Sequence, residues 1–473
     1  MTVQGAPWKK AGVMGLGLSG VAAAGFLARR GVRVIAADSK PVEALSVEAG
    51  QLLAGGVTLA GKATGAATFE ECDVVIASPG VPPSAPELAG ARAAGIPIIA
   101  EVEMASRWLR GVLIGITGSN GKSTVTALTG AILGGAGIPV RVCGNIGLPL
   151  TTVIEQDMSL PPDEAKRVHY VTELSSFQLE GIERLSPRIA VLLNLSPDHQ
   201  DRYTSMDDYY AAKTRLFMNQ SGDDVAVINW DDPLVRPVAG RMAARLFPFS
   251  LTQDLEEGAV LEAGMLTMRI AGRDQMVMNA VDVPIPGRHN VENVLAAASI
   301  AVHCGVSATG IAGAVKSFPG LPHRLEKVGV LAGAVYYNDS KATNVGATLR
   351  ALEAFTQPIV LLLGGYDKGG DFEALRTTLS AKGAALRALV TFGKAGDDIA
   401  RRLTGATPRI ERTASLADAV RAASTIASAG DVVLLAPGCA SFDAYTGFDK
   451  RGDDFRAIVA RLAAQTGGQG GRT

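Results

Sequence analysis

Gly115-Ile116-Thr117-Gly118-Ser119-Asn120-Gly121-Lys122-Ser123-Thr124 follows the apolar run Val112-Leu113-Ile114 and leads into a helical run from Val125 to Gly134. Strand, glycine loop and helix in that order read as a phosphate-binding loop. Its glycines let backbone N–H groups turn toward phosphate oxygens, Lys122 sets a point charge on the terminal phosphates, and the Ser123 hydroxyl is of the kind that ligates Mg²⁺. The N-terminus of the following helix adds partial positive charge. The common motif has a glycine where this chain has Ile116, so the loop is a variant, Gly-x-x-Gly-Lys-Ser. An ATP site in an α/β domain is the expectation from which the rest of the chain is read.

At 473 residues the chain exceeds one ordinary core, and roughly three domains are expected. Hydrophobic residues make up 47% and charged residues 19%, with a formal net charge of −1. There is neither the basic field of a nucleic-acid binder nor the acidic excess of a disordered chain. Runs such as Ile359 to Leu363 and Val432 to Ala436 fall far short of the ~20 residues that span a bilayer; they read as buried strands, and no membrane insertion is expected. Met1 to Lys10 holds no apolar signal core, and Cys72, Cys143, Cys304 and Cys439 are scattered without CxxC pairing. A cytoplasmic protein with reduced thiols is expected.

Residues 1–100 open with the strand Ala11 to Met14, then Gly15-Leu16-Gly17-Leu18-Ser19-Gly20, the helical run Val21 to Arg30, and the strand Val32 to Ala37 ending in Asp38. This G-x-G-x-x-G fingerprint with an acidic residue after the second strand points to NAD and an oxidoreductase when taken alone. Its physics is a diphosphate on a helix N-terminus, which serves a UDP group equally well. Asp38 as a surface residue between elements is an alternative. Val74 to Ala77 followed by Ser78-Pro79-Gly80 offers a second turn at the same sheet edge.

Residues 101–320 begin with the phosphate loop. Cys143-Gly144-Asn145-Ile146-Gly147 forms a turn after the strand Val140 to Val142, and Val168 to Thr172 delivers Glu173 at its end. A carboxylate beside a phosphate loop is a candidate Mg²⁺ ligand, although an exposed loop glutamate reads the same. Ile189 to Leu195 delivers Ser196-Pro197-Asp198-His199-Gln200-Asp201-Arg202, and the helix Met206 to Phe217 carries Lys213. Gly287-Arg288-His289-Asn290-Val291-Glu292-Asn293 opens an Ala-rich helix with Asn290 and Asn293 near one face, a cap being an equal reading of Asn290. Ser317 to Pro322 is a Pro/Gly hinge.

Residues 321–473 alternate strand and helix, with polar groups at strand ends: His323-Arg324, Asp339-Ser340-Lys341-Ala342-Thr343-Asn344, Gly364 to Gly370, and Pro437-Gly438-Cys439-Ala440-Ser441-Phe442-Asp443. The Gly-rich tail from Thr466 is expected to fray. The fold class is therefore α/β in three domains: an N-terminal Rossmann-like domain, a central P-loop ATPase-type domain and a C-terminal Rossmann-like doubly wound sheet. Two phosphate-type loops and a third domain with polar strand ends suggest a two-substrate enzyme that closes around ATP.

Thr117 to Thr124, Glu173-Leu174-Ser175-Ser176-Phe177-Gln178, Asp198 to Arg202, Gly287 to Asn293, Pro322-His323-Arg324, Asp339 to Asn344 and Cys439 to Asp443, with Phe448 and Arg451-Gly452 beyond, together resemble the Mur ligases of peptidoglycan synthesis. The resemblance covers almost the whole chain, and Ile116 is itself a trait of that family. It implies ATP-driven amide synthesis through an acyl phosphate, with UDP-N-acetylmuramoyl-L-alanine and D-glutamate as substrates and two Mg²⁺ ions. Lys122, Glu173, His199 and Lys213 are then the catalytic set. Ser123, Glu173, His199 and a carbamylated Lys213 are the metal ligands. Gly118, Ser119, Asn120, Gly121, Lys122, Ser123 and Thr124 hold phosphate, and Asn293, Arg324 and Asp339 hold adenosine. Leu18, Ser19, Asp38, Ser39, Ser78, Gly80 and Asn145 hold the uridine substrate. Thr343, Lys368, Ser441 and Phe448 hold D-glutamate, and His323 and Lys341 lie near phosphate. A monomer without nucleic-acid partners is expected. Glutamate stereochemistry is not fixed by residue types, because the same carboxylate contacts serve either hand, so a sibling ligase for another amino acid stays open.

Overall fold

The apolar runs become strands of three sheets in a computed structural model that describes residues 6–199 and 202–467. Gln200 and Asp201, and the tail beyond 467, lie outside the described residues. The first sheet contains β1 (Lys10–Met14), β2 (Arg33–Ala37), β3 (Thr58–Leu59), β4 (Val74–Ala77) and β5 (Ile98–Ala100). Their order is β3-β2-β1-β4-β5, with every pairing parallel. The helix Leu18–Ala28 starts at the fingerprint itself, three residues earlier than Val21. Gly15 turns the chain at φ +85°, and a Cβ on Gly20 would collide with the Gly15 carbonyl, so helix and strand approach only because both are glycine.

The second sheet contains β6 (Val112–Thr117), β7 (Val140–Gly144), β8 (His169–Glu173), β9 (Ile189–Leu192), β10 (Val225–Asn229), β11 (Arg245–Ser250), β12 (Gly258–Glu262), β13 (Met265–Ile270) and β14 (Arg273–Asn279). Its order is β14-β13-β12-β11-β10-β9-β6-β8-β7, parallel from β7 to β12 and antiparallel at the β12–β14 edge. With β6 flanked by β8 and β9, the phosphate loop, Glu173 and the Asn194-to-His199 segment leave the sheet side by side. Ligands of open α/β sheets bind at such carboxyl-end crevices.

The third sheet contains β15 (Glu326–Leu331), β16 (Ala334–Asn338), β17 (Ile359–Gly364), β18 (Leu386–Phe392), β19 (Ile410–Arg412) and β20 (Val432–Leu435). Its order is β15-β16-β20-β17-β18-β19, parallel except for the β15 edge. β17 and β20 are buried at every position, as helix-covered parallel strands require, which is why they read as continuous apolar runs.

Contacts divide the chain into two compact units. One runs to Asp282 and takes in Glu292–Lys316; the other takes Val283–Val291 and the chain from Ser317. The first two sheets share a unit because one hydrophobic cluster runs through both, from Val13 and Phe26 by way of Trp108 to Leu192 and Ile228. Phe26 meets Trp108 edge-on at 5.0 Å between ring centroids.

Candidate active site

The loop after β6 is shaped by two glycines in left-handed or related conformations, Gly118 at φ +153° and Gly121 at φ +84°. Gly121 caps the helix Lys122–Gly135, so Lys122 and Ser123 are its first residues and the helix N-terminus lies at the loop. A Cβ on Gly121 would lie 2.5 Å from Asn293 Oδ1, which places Asn293 directly against the loop. Asn194, at the end of β9, braces the other side: its Oδ1 accepts from the Asn120 N–H at 2.8 Å, and its carbonyl accepts from the Ser119 N–H at 2.9 Å. Sequence reading passed over Asn194 inside the run Ile189 to Leu195; the lone amide in that apolar run was the available signal.

Two lysines converge on one carbonyl. Lys122 Nζ donates to Gly118 O at 2.8 Å and to Ser119 O at 3.0 Å, and Lys213 Nζ donates to Gly118 O at 2.8 Å. Lys213 sits on the helix Met206–Thr214, which ends before the 3₁₀ turn Arg215–Phe217. Its side chain is only 1% exposed, with Nζ 4.6 Å from the Tyr209 ring centroid. Burial first, and the neighbouring Lys122 second, push its pKa down to about 7.

Glu173 is the last residue of β8 and is 2% exposed. Its Oε1 accepts from Asn145 Nδ2 at 2.8 Å, whereas its Oε2 is buried with no hydrogen-bond partner. A buried carboxylate oxygen without a hydrogen-bond partner is costly unless a ligand completes it. His199, at φ +52°, sets its ring tilted against Phe177 at 4.7 Å and edge-on to Tyr209 at 6.0 Å between centroids, with Nε2 3.8 Å from Asp198 Oδ2. Among the described residues, no three His, Cys, Asp or Glu side chains form a metal-holding group.

In the first sheet, Asp38 braces the fingerprint: Oδ2 accepts from the Leu16 N–H at 2.6 Å and Oδ1 from the Lys40 N–H at 2.8 Å. Ser78 Oγ donates to Gly15 O at 2.8 Å, tying the two turns together. Leu18 is 79% exposed, Ser39 and Gly80 are exposed, and Ser19 is half-buried, which leaves this sheet edge open. Arg202 donates to the Pro79 and Val81 carbonyls at 3.2 Å and pairs with Glu180 at 2.8 Å, linking the edge to the central domain.

In the second unit, β16, β20 and β17 lie adjacent and their ends carry the remaining motifs. Asp339 donates its N–H to Leu435 O at 2.7 Å; burial lifts its carboxyl to about 7 against the opposing pull of Arg324. Lys341 Nζ lies 3.9 Å from the Phe448 ring centroid, Thr343 donates its N–H to Lys341 O, Lys368 is exposed, and Ser441 is 2% exposed. Asn290 donates from Nδ2 to Pro286 O at 2.6 Å, a local helix-start contact. His323 is buried, with Nδ1 3.1 Å from Asn338 Nδ2, and Gly452 packs so closely on its ring that a Cβ there would collide. These contacts make His323 a fastening between β16 and the helix Phe448–Gly467.

Three family models match in sequence order: the Mur ligase MurD-like N-terminal domain over residues 9–100, the Mur ligase middle domain over 116–301, and the Mur ligase glutamate ligase domain over 323–439. A UDP-N-acetylmuramoylalanine–D-glutamate ligase of Acidobacterium capsulatum is 44% identical over 95% of this chain and 96% of its own. The chain belongs to the Mur ligase family. A ligase of the same description from Solibacter usitatus is 45% identical over 95% of this chain and 97% of its own. Among solved structures, the UDP-N-acetylmuramate–alanine ligase MurC of Thermotoga maritima matches with TM-score 0.57 and 18% identity, covering 97% of this chain and 100% of that one. MurF of Acinetobacter baumannii matches with TM-score 0.56 and 17% identity, over 91% and 90%. The three-domain Mur ligase fold accounts for all three sheets, and the oxidoreductase alternative gives way to it.

Proposed function

We propose that this Mur ligase joins D-glutamate to UDP-N-acetylmuramoyl-L-alanine with hydrolysis of ATP to ADP and phosphate, in cytoplasmic peptidoglycan precursor synthesis. The reading is carried by identity of 44% and 45% across 95% of the chain to ligases of that description. No described helix is long and apolar enough to cross a membrane, in keeping with soluble substrates.

The substrate carboxylate attacks the γ-phosphorus, an acyl phosphate forms as the bond to the bridging oxygen breaks, and ADP leaves. The D-glutamate amine then attacks the acyl carbon and phosphate departs. The loop N–H groups from Gly118 to Thr124 and the Lys122 ammonium are assigned to phosphate charge, and the Asn293, Arg324 and Asp339 side chains to adenosine. The uridine diphosphate end is assigned to Leu18, Ser19, Asp38, Ser39, Ser78 and Gly80, with Asn145 toward the reacting end. Thr343, Lys368, Ser441 and Phe448 are assigned to D-glutamate, Lys368 pairing with a carboxylate.

The unpaired Glu173 Oε2 fits a divalent cation, and Ser123 and Glu173 would hold one Mg²⁺. A second would fall to His199 and Lys213, the lysine becoming an anionic ligand through carbamylation of its amine by CO₂ with loss of a proton. Bound Mg²⁺ would neutralise charge on the transferring phosphoryl group. Incubation with ATP, Mg²⁺ and UDP-N-acetylmuramoyl-L-alanine, with D-Glu, L-Glu, D-Asp or L-Ala in turn, should release ADP with D-Glu alone. Release with a different amino acid moves the chain to a sibling activity, and no release with any overturns the reading.

A further inference from the structure

Among the described residues, Arg451 is the largest fully buried side chain, at 0% exposure, in the first turn of the helix Phe448–Gly467. Every hydrogen bond it makes goes to a neutral oxygen. Nε donates to Ser340 Oγ at 3.0 Å and Nη2 to Ser340 O at 2.9 Å. Nη1 donates to Cys439 O at 3.1 Å, to Ala440 O at 3.2 Å and, more distantly, to Gly364 O at 3.5 Å. Ser340 Oγ passes the link on, donating to Phe448 O at 2.8 Å. Gly365, at φ +127°, lets this happen: a Cβ there would meet Arg451 Nη1 at 3.0 Å.

A buried guanidinium on neutral acceptors is an expensive way to hold a core together, and an apolar side chain of similar volume is generally as stable. Burial also lowers its pKa to about 10, with Asp443 the first group opposing the shift. What the guanidinium does that an apolar group cannot is fix the directions of several carbonyls at once. Those carbonyls lie at or beyond the ends of β16, β17 and β20, in segments that lead to residues assigned above to the amino acid. Ser340 opens the run to Thr343, Gly364 opens the turn to Lys368, Ala440 precedes Ser441, and Phe448 starts the helix that Arg451 stands on.

We propose that Arg451, through Ser340, is a positioning residue for the amino-acid acceptor, holding the Thr343, Lys368, Ser441 and Phe448 segments in one constellation. The inference rests on the proposed function for the identity of the acceptor, not for the geometry. Arg451→Met should raise KM for D-glutamate about tenfold, the cost of one or two unmade buried hydrogen bonds. KM for ATP and for the uridine substrate should stay within about twofold. Arg451→Lys, which restores a cation and some of the donors, should recover part of the loss. Where Arg451 variants fail to fold, Ser340→Ala keeps the guanidinium and cuts its bridge to Phe448; its acceptor KM should rise while both other KM values hold. Unchanged acceptor KM, or equal rises in all three, overturns the proposal. Dependence of wild-type ADP release on D-glutamate judges the broader reading separately. If another amino acid is accepted, its KM replaces that of D-glutamate. If none is, amide exchange decides: Ser340→Ala should speed exchange at 340–344 and 439–448 while leaving 118–124 unchanged, and uniform exchange sinks the inference.

Discussion

Glu173 separates a structural from a chemical role within one side chain, because Oε1 is tied to Asn145 while Oε2 is buried and unpaired. Glu173→Gln keeps an acceptor for Asn145 and removes the charge. Its kcat should fall by about 10²-fold or more, with the melting temperature unchanged or raised; a variant at full kcat would remove Glu173 from the metal site. Lys213 is a donor to Gly118 O, so it contributes to a metal only if its amine is converted. Lys213→Ala should lose activity that bicarbonate does not restore and that acetate partly restores, whereas full activity would remove it from the site. Asp339 supplies the pH dependence. Burial raises its folded pKa to about 7 from the usual 3.8 of an aspartate. The folded state thus binds the extra proton: its contribution to stability is complete below the unfolded pKa and is lost as pH rises through about 7. The melting temperature of Asp339→Asn relative to wild type should therefore climb between pH 5 and pH 8. A constant difference would show that the carboxyl does not titrate there.

The loop after β6 depends on a close approach that only glycine allows. Gly121→Ala meets two obstacles, a positive φ of 84° and a Cβ 2.5 Å from Asn293 Oδ1. The first costs about 1–2 kcal/mol whatever the neighbours are. The second can be relieved. Gly121→Ala should weaken ATP binding and stability together, and adding Asn293→Ala should restore part of the stability but not the ATP affinity; strictly additive losses would show that the two residues do not touch. Elements of this kind were legible in the sequence because local chemistry encodes them. The glycine loop, the polar strand ends and the fully buried runs of β17 and β20 all announce themselves within a few residues. Contacts made over long separations were not. Glu103 is 0% exposed, and its Oε2 accepts from the N–H groups of Glu183, Arg184 and Leu185 at 3.0, 3.0 and 2.8 Å. Nothing near Glu103 in the chain distinguishes it from a surface glutamate. Arg451 was legible only as part of the family motif, not in what it holds, since its acceptors lie in segments as far back as Ser340. The site's residue types were readable from family likeness, but the burial of Lys213 and the spare oxygen of Glu173 needed the fold.

At the scale of the whole molecule, three family domains fall into two compact units, and that difference has a thermodynamic consequence. The cluster running from Val13 and Phe26 through Trp108 to Ile228 gives the first two sheets a common core. Arg202 reaching the Pro79 and Val81 carbonyls reinforces it. Elements that share a core unfold together, so the N-terminal and central domains should melt as one cooperative transition. The C-terminal sheet has its own clusters, around Leu361 and Leu434 on one face and Leu362 and Val433 on the other. It should give a separate transition in differential scanning calorimetry of the full chain. Site-directed changes then label the transitions. Phe26→Ala, which removes about 3–5 kcal/mol of packing, should lower the transition that Leu192→Ala also lowers and leave the other in place. Leu361→Ala should do the reverse. ATP with Mg²⁺ should raise the transition that contains Lys122. A single transition shifted alike by all three substitutions would mean that the chain unfolds as one body; three transitions would mean that the N-terminal core is independent of the central one despite Trp108 and Arg202.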